Sequence, residues 1–297
     1  MPRTLSGQKK KTFTVGKGLE LGKGGLEEEV YLRTYYKSEC LPIKQLIPIW
    51  KDCRKFHGYY IFEDWLEERD KLRKNLYHLG LTVGHDFVPH VHQEMANMFV
   101  QKQFDGVYHD GYTLSEVRKA IGKQPREQEM LLLAPRGAFK STVDCVDCVS
   151  WLINVPDVRI LIIGPKHSLA LKFLLQVKGY FHKPEHADPT KFQAMFPEYI
   201  LPTKEAESES DLYCPARRVL GNEEPNLTVS STGSSLSGWH TDILKGDDTV
   251  DDENSNTEGT REKLKMKWDN ALNLVDEWGF IDQIGTRYFV DDLWGDI

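Results

Sequence analysis

From Gln128 onward, short apolar runs alternate with longer amphipathic segments, and no other feature constrains the fold as strongly. "MLLLA" precedes a helix-like pattern through Ile153, and "VRILIIG" precedes "SLALKFLLQVKGYF". "LTVSS", "DILKG", a helix around "REKLKMKWDNALNLV" and "FIDQIGT" follow. Strands alternating with helices imply an α/β layered fold with a mostly parallel sheet flanked by helices. In such sheets, ligands sit at the carboxyl ends of the strands. On the last helix Leu264, Trp268, Ala271 and Val275 are expected to share one buried side.

Upstream, 25–126 reads as a mainly helical subdomain, preceded by a basic, glycine-rich arm over 1–24 and followed by the α/β core over 127–297. In "FEDWLEERDKLRKNLYHLG", Trp65, Leu72, Leu76 and Leu79 mark one face, and Gly80 is expected to stop the helix. In "TLSEVRKAIG", Thr113 and Glu116 form a capping box. The acidic "EAESESD" reads as a surface loop.

Composition excludes several classes. No run of about 18 apolar residues occurs, so no membrane span is expected. The N-terminus lacks the apolar stretch of a secretory signal. A net charge of -7 argues against coating nucleic acid by bulk electrostatics. Five cysteines form no even framework, and a lone C-x-x-C (Cys145, Cys148) falls on a helix, where packing is the expected role.

Three segments carry chemistry. In "MLLLAPRGAFKST", a strand ends at a turn bearing Arg136, Gly137 and Lys140, and a helix follows. The pattern approaches G-x-x-x-x-G-K-[ST], with Ala134 and Phe139 in the two glycine positions. Lys140 is placed to reach β and γ phosphates, Ser141 to ligate Mg²⁺, and the N–H groups of the helix start to hold phosphate oxygens. Phe139 would be strained if the backbone there needed positive φ. In "TDILKGDDTVDDEN", Asp247 and Asp248 end a strand; one carboxylate suits Mg²⁺ and the other a general base. In "QIGTRYFVDDLWGDI", Gly285 and Thr286 end another. Each segment also has a plain reading as a strand–turn junction or a solvated acidic loop.

Together, "APRGAFKST", "STGSSLSGWHTDILKGDDTVDDENS" and "IGTRYFVDDLWGDI" resemble the ATPase region of a phage terminase large subunit, the motor that pumps double-stranded DNA into procapsids. Relatives often read A-P-R-G-x-G-K-S in the loop and Gly-Thr-Arg-Tyr in the third motif. The resemblance spans 130–297 and is thin before that. It implies a P-loop NTPase fold (ASCE or RecA-like), with ATP and Mg²⁺ as cofactors. Arg136, Gly137, Ala138, Phe139, Lys140, Ser141 and Thr142 would line the nucleotide, and Ser141 and Asp247 would hold the metal. Asp248 would be the catalytic base, Arg136 and Lys140 the cations on the phosphates, and Thr286 the residue coupling hydrolysis to DNA movement. In "FVPHVHQEM", Gln93 would read the adenine. Implied partners are double-stranded DNA, a portal protein, a terminase small subunit and further copies in a ring, in a host cell cytoplasm and with no membrane.

Two departures stand out. Phe139 replaces a glycine, and Ser237 stands where some relatives carry an arginine. An arginine finger would then be Arg136 in cis, or Arg217 or Arg218 from a neighbour. The family's nuclease uses clustered acidic residues; Asp291, Asp292 and Asp296 have no strand framework after them, so an ATPase domain without DNA cleavage is expected. Two alternatives remain open: another P-loop motor, such as a helicase, and a degenerate fold that binds a partner without nucleotide.

Overall fold

The computed structural model describes residues 41–104, 129–183, 187–201, 208–217, 224–234, 240–288 and 292–295. The basic arm, the Thr113–Glu116 capping box, Ser237, Arg218, Asp291, Asp296 and residues 205–207 of the acidic segment lie outside them.

The first layer is helical: α1 (Ile43–His57), α2 (Phe62–Lys74), α3 (Leu76–Thr82), a π-helical turn (Pro89–Gln93) and α4 (Glu94–Phe104). Trp65, Leu72, Leu76 and Leu79 are all buried, as their spacing requires. They divide between two helices, because Asn75 leaves α2 in an extended conformation and its side chain accepts from the His78 N–H to cap α3. Gly80 does not stop the helix. It sits inside α3, where a Cβ would stand 2.1 Å from Phe87, so its role is close approach of that ring.

The remainder is a six-stranded mixed sheet: β1 (Glu129–Leu133), β2 (Ile160–Gly164), β3 (Asp211–Leu212), β4 (Leu227–Ser231), β5 (Thr241–Asp247) and β6 (Val275–Gly285). The order is β1-β6-β5-β2-β4-β3, and every pairing is parallel except that of the short β3 with β4. The flanking helices are α5 (Lys140–Asn154), α6 (His167–Phe181), α7 (Lys191–Met195), α8 (Asp252–Ser255) and α9 (Glu258–Leu272).

Both faces are covered, which explains why β2 reads as an unbroken apolar run. Ile160 and Ile162 join a core with the N-terminal helices, α5 and α6; Leu161 and Ile163 join a second core with Leu264 and Trp268 of α9. Val275 does not extend the buried face of α9, which ends at Leu272; it opens β6. Cys145 and Cys148 are buried in the first core as free thiols. Arg73 and Asn154 join α2 to the end of α5: the Asn154 side-chain amide donates to the Arg73 carbonyl at 3.0 Å. Among the described residues no helix is long and apolar enough to cross a membrane.

Candidate functional site

The parallel order aligns the carboxyl ends of β1, β6 and β5, with β6 between the other two. From those ends run the 134–139 turn, the Asp247–Asp248 pair and the Thr286 segment. The turn is clamped to β6 from both sides: the Ala134 N–H donates to Gly285 O at 3.1 Å, and the Thr286 hydroxyl donates to Ala134 O at 3.2 Å.

Gly137 adopts φ 83, with nothing within 4 Å of where a Cβ would be, so the loop backbone is open on that side. Phe139 adopts φ 54 and ψ 24, the left-handed conformation that glycine accepts and a bulky residue resists. The loop therefore keeps a glycine-type turn with a phenylalanine in it, at a cost of about 1–2 kcal/mol. Phe139 is 61% exposed, and its ring meets His92 edge-on, with centroids 5.8 Å apart. No side chain caps the N-terminus of α5, and its first turn carries no acid. The first N–H groups of a helix have no intrahelical acceptor, and the dipole there favours an anion.

Two side chains of that first turn meet the acidic pair. The Ser141 hydroxyl donates to Asp247 Oδ1 at 2.6 Å, and the buried Lys140 places Nζ 3.3 Å from Asp248 Oδ2. Burial pushes the Asp247 carboxyl up to about 6; the Ser141 hydrogen bond opposes this and the adjacent Asp248 adds to it. Asp248 is held at φ 44 while its N–H donates to Ile284 O at 2.8 Å. Its Oδ1 is buried without a hydrogen-bond partner. Phe139 and Asp248 are the two non-glycine residues of positive φ among those described; one precedes Lys140 in the chain and the other contacts its ammonium. Strain concentrated in this way marks functional loops.

No protein-family model and no curated protein matches this chain. The site has to be read from its own geometry.

The Arg136 guanidinium donates to the Tyr288 hydroxyl and lies over that ring, 5.6 Å from its centroid. Ala138 donates to Pro135 O at 3.3 Å within the turn, and Thr142 follows Ser141 in the first turn of α5. Gln93 is exposed; its neighbour His92 is the residue of this segment that touches the loop. His92 Nδ1 accepts from the Val88 N–H at 2.7 Å, which leaves the ring hydrogen on Nε2, a buried atom without a partner. Which residue of this segment turns inward was not legible in the sequence. Arg217 follows β3, at the sheet edge opposite β1, and so does not join this cluster within one chain.

Sequence reasoning missed a buried charge cluster beneath the site. The Lys245 ammonium contacts Asp144 at 2.6 Å, Asp147 at 2.7 Å and Asp282 at 3.1 Å. Lys245, Asp144 and Asp147 have no solvent exposure. Among the described residues no group of three or more His, Cys, Asp or Glu is arranged to hold a metal, so a cation at the loop would rely on Ser141, Asp247 and oxygens from outside the chain.

Proposed function

We propose that this chain hydrolyses ATP with Mg²⁺ at the Arg136–Thr142 loop, as the ATPase of a motor that moves double-stranded DNA into a viral procapsid. The observation that carries the reading is the 2.6 Å hydrogen bond from Ser141 to Asp247, beside the Lys140–Asp248 pair at 3.3 Å. Two motifs more than a hundred residues apart are thereby brought to one spot. The strand order, with β6 inserted between β1 and β5, is compatible with a P-loop fold of the ASCE or RecA-like type.

Ser141 and Asp247 fit the metal by donor chemistry. A hydroxyl and a carboxylate are hard oxygen ligands, and neighbouring ligands of an octahedral ion at about 2.1 Å stand about 3 Å apart. When bound, Mg²⁺ supplies positive charge against the β and γ phosphates. The chain's own groups do the rest. The N–H groups of the first turn of α5 hold phosphate oxygens, and Lys140 exchanges the Asp248 carboxylate for the terminal phosphate. Asp248, so released, orients the attacking water and accepts its proton. Arg136 opposes the charge that grows on the transferred group. Thr286, bonded to Ala134 O, registers any shift of the loop and passes it to β6.

Phosphate release from ATP, with and without Mg²⁺, tests the reading. Lys140→Ala is expected to lower the rate by about 100-fold or more. Full activity in that variant ends the assignment. Stimulation by double-stranded DNA supports the packaging role, whereas stimulation confined to single strands favours a helicase-type motor. A Tm that ATP and Mg²⁺ leave unchanged, with no turnover, points to the degenerate fold that binds a partner without nucleotide.

A further inference from the structure

Tyr288 closes the Gly-Thr-Arg-Tyr of the third motif, two residues after Thr286, and was given no role by sequence, yet it is the residue to which the loop arginine is bonded. Its hydroxyl accepts from Arg136 Nη2, and its ring lies under the guanidinium at 5.6 Å. Tyr288 is itself anchored: its N–H donates to Asp292 Oδ2 at 3.0 Å, and the other oxygen of that fully buried carboxylate accepts from the Trp294 N–H at 3.1 Å. Arg136 is exposed and Gly137 next to it is open, so the loop around the guanidinium offers it little packing among the described residues. Asp248 and Asp252 are the acids close enough to act on it. Left free, a long side chain facing two carboxylates would spread over many rotamers, and each would cost order at the moment of reaction.

We propose that Tyr288 is a positioning residue for Arg136, holding the loop arginine over the phosphate side of the Arg136–Thr142 turn through its hydroxyl and ring. The assignment rests on the nucleotide reading above. It also gives the third motif a second tie to the loop, next to the Thr286–Ala134 bond, so that movement of the arginine is felt at the end of β6.

The test is a kinetic cycle on the full chain with Tyr288→Phe, Tyr288→Ala, Arg136→Ala and the double variant Arg136→Ala/Tyr288→Phe, each with MgATP. A positioning role lowers kcat about threefold in Tyr288→Phe and about tenfold in Tyr288→Ala, with KM within about twofold of wild type. Tyr288→Phe retains the ring and so restores part of what Tyr288→Ala loses. In the Arg136→Ala background, Tyr288→Phe costs nothing further, because two residues acting as one unit are not additive. Losses that multiply in the double variant, or that appear only in KM, overturn the assignment and leave the nucleotide reading intact if Lys140→Ala still abolishes hydrolysis. If wild type shows no Lys140-dependent hydrolysis, the nucleotide reading fails and the Tyr288 assignment falls with it.

Discussion

Phe139 and His92 meet edge to face, with ring centroids 5.8 Å apart, across the gap between the loop and the N-terminal helices. His92 is stacked in turn on Phe87 at 4.8 Å. The contact draws Phe139 toward the helical layer while its backbone stays left-handed. Edge-to-face pairs are worth about 0.5–1.5 kcal/mol, which offsets much of the strain of the αL position. Phe139→Ala removes the ring and keeps the strain; Phe139→Gly removes both. The glycine variant is therefore expected to be the more stable of the two by about 1 kcal/mol, the reverse of the usual ranking. Urea unfolding of both variants checks this, and an alanine variant at least as stable as the glycine one would show that the turn carries no strain.

Asp247 makes the second prediction. Its hydrogen bond from Ser141 is the contact a divalent ion would replace. With wild type, ATP and Mg²⁺ together should raise Tm more than ATP alone, by the stabilisation that a ligand at about 100 times its Kd confers, roughly 2.7 kcal/mol. Asp247→Asn should lose the Mg²⁺-dependent part and keep most of the nucleotide part. Removing the ion with a chelator should reproduce that loss in wild type. An Asp247→Asn protein that keeps the full Mg²⁺ increment would place the metal elsewhere.

The parts legible in the sequence were those whose signal is local. Strand exits, the lysine and serine opening α5, and the paired aspartates follow from a few adjacent residues. The alternation of runs gave the layered fold for the same reason. What stayed hidden depends on distant neighbours. Gly80 read as a helix stop because nothing local announces Phe87 lying against it. Val275 continued the spacing of α9, but Asn273 and Leu274 form a turn that ends the helix before it. In "DILKG" nothing local accounts for a lysine inside an apolar strand; its three carboxylate partners come from α5 and β6.

That cluster yields a stability prediction. Lys245 contacts Asp144, Asp147 and Asp282 together, and its ammonium also lies 5.1 Å from the centroid of Phe99. Lys245→Met removes the ammonium these buried carboxylates share and should cost about 3–5 kcal/mol. Asp144→Asn should cost far less, within about 1 kcal/mol near neutral pH, because burial already pushes the Asp144 carboxyl up to about 8 and keeps it protonated there. Denaturant midpoints measured side by side decide between this and a cluster in which every carboxylate is ionised. In the latter case Asp144→Asn would be as damaging as Lys245→Met.

The sign of the pH dependence follows from the same group. The Asp144 carboxyl titrates near 3.8 in an unfolded chain and at about 8 in the folded one, chiefly because it is buried; Lys245 lowers that value and Asp147 raises it. A folded-state pKa raised above the unfolded value means that the native protein holds the proton more tightly. The stability this contributes is complete below about pH 4 and is lost as pH rises through about 8. Asp247, at about 6, acts in the same direction over the lower half of that range. Wild type should therefore lose stability from pH 5 to about pH 8, by at most about 1.4 kcal/mol per unit for each such group. Asparagine cannot ionise, so the difference between Asp144→Asn and wild type isolates the contribution of Asp144 from every other carboxylate. The variant should gain on wild type steadily between pH 5 and 8 and level off above that. Chemical denaturation of both proteins at four or five pH values measures that difference, and a gap that stays constant with pH would mean that Asp144 is ionised throughout, as a full partner of Lys245.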